Sequence, residues 1–150
     1  CLNLLQWFFN NSNFYLKYNL HQKNEFLNKK KIDNGFSVLK IDNAACLLHH
    51  GFCNWKNIFK FEIYGSKGFI DISSLSKWGD QIVSYGLRKY PSGIPNIVKY
   101  RYIRDDSWKN EINFVIKSII NSTRNTRLKI SKESSDTLKL LNKIQNNDKN

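Results

Sequence analysis

The chain has 150 residues, a formal net charge of +12, 41% hydrophobic residues and 14% aromatic residues. A chain of this length buries roughly 70% of the surface it would expose unfolded, so one core is expected. No apolar run approaches the roughly 18–20 residues needed to span a bilayer, and CLNLLQWFFNNS at the start lacks the basic flank and small-residue cleavage site of a signal peptide, so a soluble, cytoplasmic protein is expected.

The chain begins with Cys1 and contains no methionine, which marks it as an expected fragment of a longer protein. Its three cysteines, Cys1, Cys46 and Cys53, form no CxxC pair, and the seven-residue offset between the last two puts them on opposite faces of a strand. Reduced thiols are therefore expected rather than a disulfide or a zinc site, and no metal site is expected. The positive charge invites a basic nucleic-acid-binding reading. The lysines are scattered, however, and the one run, Lys29-Lys30-Lys31, is shorter than the blocks that mark nucleic-acid tails.

Leu2, Leu5 and Phe9, with Leu4 and Phe8 beside them, recur at helical spacing and predict an opening amphipathic helix that Asn10-Asn11-Ser12-Asn13 stops. From Phe14 the period becomes two: Phe14, Leu16, Tyr18 and Leu20 alternate with Tyr15, Lys17, Asn19 and His21. After a polar loop through Lys31, Ile32-Asp33-Asn34-Gly35 turns into a second strand over 36–41, and Asp42-Asn43 turns into a third over 45–53. In WKNIFKFEIYGSKGFIDI, Phe59, Phe61 and Ile63 alternate with Lys60, Glu62 and Tyr64, and Gly65-Ser66-Lys67-Gly68 makes a hairpin to a strand over 69–72. Strands are also predicted over 81–87 and 97–103, with the proline-bearing 90–95 between them as a surface loop.

Ser107, with Asp105 and Asp106 at the positive helix end, then starts a helix whose stripe is Trp108, Ile112, Val115, Ile116 and Ile119. A loop is expected over 121–132, and Leu138, Leu141 and Ile144 mark a last helix before a polar tail at 146–150. Strands in succession joined by short turns imply an α+β fold, an open and mainly antiparallel sheet with helices on one face. No GxGxxG, Walker loop or internal repeat is present, so a cofactor-binding Rossmann domain is not expected in this chain.

Few residues suggest chemistry. His49 and His50 are adjacent and so point to opposite faces of a strand, which prevents them from converging on one ion. His21 has no acidic or thiol neighbour in sequence, no serine sits in a GxSxG elbow, and Asp105-Asp106 is explained by helix capping. The cluster Trp55-Lys56-Asn57 places an aromatic plate, an ammonium and an amide at a strand entrance. Such a set suits a polyhydroxylated ligand, although an edge Trp packed under a lysine stem accounts for it as well.

The order WKNIFKFEIYGSKGFIDI, Ser84-Tyr85-Gly86, then Asp106-Ser107-Trp108 with Glu111, resembles the C-terminal domain of the glucose-fructose oxidoreductase, inositol dehydrogenase and MocA (Gfo/Idh/MocA) family, over residues 1–145. The resemblance implies the C-terminal domain of a two-domain NAD- or NADP-dependent oxidoreductase of carbohydrate metabolism. It would act by hydride transfer on a hydroxyl of a sugar, sugar nucleotide or cyclitol. It implies an open sheet face that makes a homo-oligomer, and substrate contacts near Trp55, Lys56, Asn57 and Trp108. The family's lysine, aspartate and histidine would precede Cys1, with Asn3 at the position of the motif's last aspartate. This chain alone is then expected to have no catalytic residues, to bind no cofactor and to be inactive. A non-catalytic sheet domain for oligomerisation or partner binding is the alternative, and a basic nucleic-acid-binding domain a further one.

Overall fold

Among the described residues, alternating side chains build seven strands and helical spacing builds three helices, an α+β fold. The computed structural model describes residues 2–10, 12–23, 32–91, 93–121 and 124–146. In chain order the elements are α1 (Leu2–Phe8), β1 (Phe14–Gln22), β2 (Asn34–Ile41), β3 (Ala44–Gly51), β4 (Lys60–Tyr64), β5 (Gly68–Ser73), β6 (Gln81–Leu87), β7 (Ile97–Tyr102), α2 (Ser107–Asn121) and α3 (Arg124–Asn146). The strands divide into two antiparallel sheets, β1-β2-β3 and β4-β5-β6-β7. The division matches two compact units, Cys1–Asn54 with Ser118–Asn150, and Trp55–Lys117. The Lys29-Lys30-Lys31 run, Cys1 and the tail after Asn146 lie outside the described residues. Among the described residues no helix is long and apolar enough to cross a membrane.

The first unit holds the apolar core. Leu5, Leu39, Ile41, Leu140 and Ile144 are its buried hydrophobic side chains, contributed by α1, β2 and α3. Each contributes roughly 1.5–3 kcal/mol by leaving water. The inward face of β2 is Gly35, Ser37, Leu39 and Ile41, alternating with Phe36, Val38 and Lys40. The β2–β3 turn is two residues long. Asp42 adopts a left-handed backbone (φ 47°), a conformation Asp tolerates better than most residues. Its Oδ1 accepts a hydrogen bond from the Asn13 amide at 3.0 Å, tying the turn to the start of β1. Hydrogen bonds from Ser12 and Asn13 hold the Asp42 carboxyl below its ordinary pKa.

Two expectations change in this unit. The alternation Phe14, Leu16, Tyr18, Leu20 does not keep one face. Phe14 and Leu16 pair with Ile41 and Leu39, but the register shifts between Leu16 and Tyr18, and Tyr18 and Leu20 then pair with Val38 and Phe36 on the other face. Lys17 is the extra residue of a β-bulge, and one inserted residue in a period-two strand turns every later side chain over. Asn19 and His21 consequently join Ser37 and Gly35 on the inner face. The second change is α3, which already runs through 124–132, where a loop is expected. Its buried side chains are Leu140 and Ile144, one turn apart, whereas Leu138 and Leu141 are exposed. The helix therefore docks on a face rotated from the Leu138-Leu141-Ile144 stripe. Its C-terminal carbonyls need partners, and the Ile144 carbonyl accepts one from Asn19 Nδ2 at 2.7 Å.

In the second unit the hairpin at Gly65-Ser66-Lys67-Gly68 closes through the Gly65 amide donating to the Gly68 carbonyl at 2.8 Å. Gly68 is required there because a Cβ would stand 2.3 Å from the Gly86 carbonyl oxygen on β6. Cross-strand pairing sorts the side chains by face. Phe61, Ile72, Val83 and Tyr100 make one row, and Ile63, Ile70, Tyr85 and Val98 the next. The opposite face carries the rows Lys60, Ser73, Ile82, Arg101 and Glu62, Asp71, Ser84, Lys99. One side of this sheet is thus apolar and uncharged while the other collects the charges. All five buried hydrophobic side chains of the described chain belong to the first unit, so the apolar face of this sheet stays half-buried or exposed.

The helix after the sheet starts as expected from the acidic pair. The Ser107 amide donates to Asp105 Oδ1 at 3.0 Å, which satisfies an orphan helix donor and holds the Asp105 carboxyl below its ordinary pKa. Asp106 pairs with Arg104 at 2.9 Å. The α2 stripe Trp108, Ile112, Val115, Ile116 and Ile119 is exposed throughout.

Candidate functional site

The residues singled out in the sequence fall in the second unit. Trp55 is fully exposed, and Lys56 and Asn57 are exposed beside it, on an irregular connection between β3 and β4. The edge-packed arrangement, with the indole under a lysine stem, is therefore not what Trp55 adopts. Trp108 is the second residue of α2, and its ring has the Lys77 ammonium 6.0 Å from its centroid, the outer limit of a cation–π contact. The four residues supply stacking surface, donors and acceptors, but the structure places them on open surface.

A concave surface occurs instead in the first unit, between α1 and α3. The cleft has a volume of about 700 Å³ and is lined by Asn3, Gln6 and Trp7 of α1, Phe14 of β1, and Glu133 and Asp136 of α3, among others. Why these side chains converge follows from the core. Leu5 is the buried residue of α1, so Asn3, Gln6 and Trp7 occupy its flanks and outer side. Thr137 pins the two helices together: its hydroxyl donates to Gln6 Oε1 at 2.6 Å and accepts from Asn3 Nδ2 at 3.4 Å. Trp7 remains 72% exposed with its ring edge-on to Phe8, centroids 5.1 Å apart and planes at 86°. Lys139 holds one oxygen of Asp136 at 3.2 Å. The sequence stripe of this helix omitted Trp7, and that omission from the core pattern is the one signal that could have marked it.

The histidines are arranged by the bulge at Lys17. His49 and His50 take opposite faces, as their adjacency requires: His49 pairs with Phe36 and stacks on its ring at 4.2 Å, while His50 pairs with Gly35. His21 arrives on the same face as His50, with ring centroids 5.6 Å apart. Gly35 lies between them, and a Cβ there would stand 2.6 Å from His50 Cε1 and 2.7 Å from His21 Cδ2. Burial, reinforced by the neighbouring His21 and His49, holds the His50 pKa below its ordinary 6.5. Among the described residues no group of three or more His, Cys, Asp or Glu side chains is placed to hold a metal ion. Cys46 and Cys53 form no disulfide; burial raises the Cys46 pKa, and the Cys53 thiol donates to the Asp33 carbonyl at 3.6 Å.

Among the described residues every strand pairing is antiparallel. Comparison with protein-family models, with curated proteins and with solved structures returns no match for this chain.

Proposed function

We propose that this chain is the oligomerising, substrate-side domain of an NAD(P)-dependent oxidoreductase acting on a hydroxyl of a sugar, sugar nucleotide or cyclitol. One observation carries the reading: the segment that supports the Gfo/Idh/MocA resemblance folds as an antiparallel sheet with one face apolar and uncharged. An apolar face left half-buried to exposed in this way suits an interaction surface. A second copy is the partner it suits best. In a two-fold contact each patch meets itself, and an uncharged patch meets itself without like-charge repulsion. The charged rows of the opposite face would not. On this reading cofactor chemistry belongs to another domain, and no reaction step is assigned to residues of this chain. Trp55, Lys56, Asn57 and Trp108 supply the substrate wall on this reading.

Sedimentation equilibrium of the purified chain tests the oligomer, and saturation-transfer NMR with NAD and NADP tests the division of labour. The reading expects a dimer or larger species and no transfer to either dinucleotide. A folded, strictly monomeric chain, or clear dinucleotide binding by it, would refute the reading. The alternative of a non-catalytic association domain shares the dimer. It parts from the first when the wall residues are probed, because it predicts no saccharide response at Trp55 or Trp108.

A further inference from the structure

We infer that the cleft between α1 and α3 is a binding site for a neutral saccharide of one or two rings, a site separate from the Trp55 surface and independent of the oxidoreductase reading. Its volume of about 700 Å³ lies inside the ~300–1,000 Å³ range of small-molecule sites. Its chemistry selects the ligand. Trp7 offers an indole face that is 72% exposed yet held by its edge contact with Phe8, so it can stack on the C–H face of a sugar ring at little ordering cost. Asn3 and Gln6 provide amides, each with donors and an acceptor, and Thr137 orients both. Glu133 and Asp136 add carboxylate acceptors on the facing helix, and Lys139 fixes one of them. A hydroxyl both donates and accepts, so adjacent hydroxyls of a sugar can use amides and carboxylates together. An apolar ligand would leave these groups unpaired.

The local charge offers an anion no net attraction. The protein as a whole carries +12, yet at the cleft Glu133 and Asp136 balance Lys132 and Lys139, the latter already paired to Asp136 at 3.2 Å. A phosphate or diphosphate would meet the Glu133 carboxylate, and like-charge contact opposes binding. The cleft therefore favours free sugars over nucleotide sugars.

The test is NMR of the chain labelled at its tryptophan indoles, titrated with D-glucose, D-galactose, D-mannose and maltose, and separately with UDP-glucose. At least one free sugar is expected to shift the Trp7 indole resonance with a Kd of ~1–10 mM, the range of a small ligand held by few contacts. UDP-glucose is expected to bind at least ~10-fold more weakly than the best free sugar, a difference of about 1.4 kcal/mol. Trp7→Ala should weaken binding at least ~10-fold without unfolding the chain, since Trp7 is exposed. Glu133→Gln should weaken it while leaving the fold intact. The inference is overturned if no sugar moves the Trp7 indole, if Trp7→Ala binds as well as the parent, or if UDP-glucose binds as tightly as the free sugars. If the Trp55 and Trp108 indoles move while Trp7 does not, the cleft fails as the site and the substrate-wall reading stands. Movement at Trp7 alone leaves the cleft standing and removes the wall.

Discussion

Asn19 is expected to be one of the most sensitive polar positions of the first unit, and the size of the effect follows from what it holds. Ser37 Oγ donates to Asn19 Oδ1 at 2.7 Å, and Asn19 Nδ2 donates to the Ile144 carbonyl at 2.7 Å. Ser37 is completely buried, and the Ile144 carbonyl sits in the last described turn of α3. Asn19→Ala removes the bonds to Ser37 and to the Ile144 carbonyl at about 1 kcal/mol each and strands a buried hydroxyl at roughly 1–3 kcal/mol, so a loss of about 3–5 kcal/mol is expected. Urea unfolding followed by far-UV circular dichroism measures it; with m of about 2 kcal/mol/M the midpoint should fall by roughly 1.5–2.5 M. Ser37→Ala alone should cost about 1 kcal/mol, and the double variant should be less destabilised than the sum of the two by about 2–4 kcal/mol, because the shared bond is lost once and no hydroxyl is then left stranded. A change within about 0.5 kcal/mol for Asn19→Ala is what a surface residue would give. That result would mean that β1 keeps its unbroken alternation, Asn19 faces outward and the bulge at Lys17 does not exist.

Other expectations concern single groups. His50 is held below 6.5 in the folded chain, so the unfolded chain takes up its proton first as pH falls. Its contribution is present above 6.5 and is lost as pH drops through 6.5 towards the depressed folded value; melting temperatures between pH 8 and pH 5 should fall less steeply in His50→Asn than in the parent, and parallel curves would refute this. Gly68→Ala should be destabilising by more than the usual 1–3 kcal/mol of overpacking, because the added carbon meets backbone at 2.3 Å and not a movable side chain. Equal stability in a thermal melt would show that the β5–β6 approach is looser than described.

Most strands were legible because alternation and turn residues act locally: β6 is found over Gln81–Leu87 as expected, and the Gly65–Gly68 and Asp42-Asn43 turns lie where Gly and Asx residues ask for them. What escaped depends on partners far away in sequence. The bulge at Lys17 leaves no mark in FYLKYNLH, whose alternation runs straight through it; only pairing with β2 reveals that Asn19 and His21 turn inward. The His21–His50 contact is therefore invisible until three strands are aligned across Gly35. The beginning of α3 hid because RNTRLKISK has little apolar periodicity, and the helix is anchored through Leu140 and Ile144 further along. Of the candidate residues, Trp55, Lys56 and Asn57 could be named from residue type and Trp108 only through the family resemblance, but the cleft beside Trp7 could not be named, since it exists only once α1 and α3 are brought side by side.

The central claim is that the apolar face of the β4–β7 sheet associates with a second copy. Sedimentation equilibrium of the parent chain, of Tyr100→Lys and of Lys99→Glu tests it most directly. Tyr100 is half-exposed on the apolar face and stacks on Tyr85, with ring centroids 6.3 Å apart. Lys99 is its neighbour on the charged face. The account predicts a parent dimer, a Tyr100→Lys variant whose dissociation constant rises at least ~30-fold, as about 2 kcal/mol of repulsion and lost contact requires, and a Lys99→Glu variant that dimerises as the parent does. A monomeric parent, or a dimer that Lys99→Glu disrupts and Tyr100→Lys does not, would contradict it.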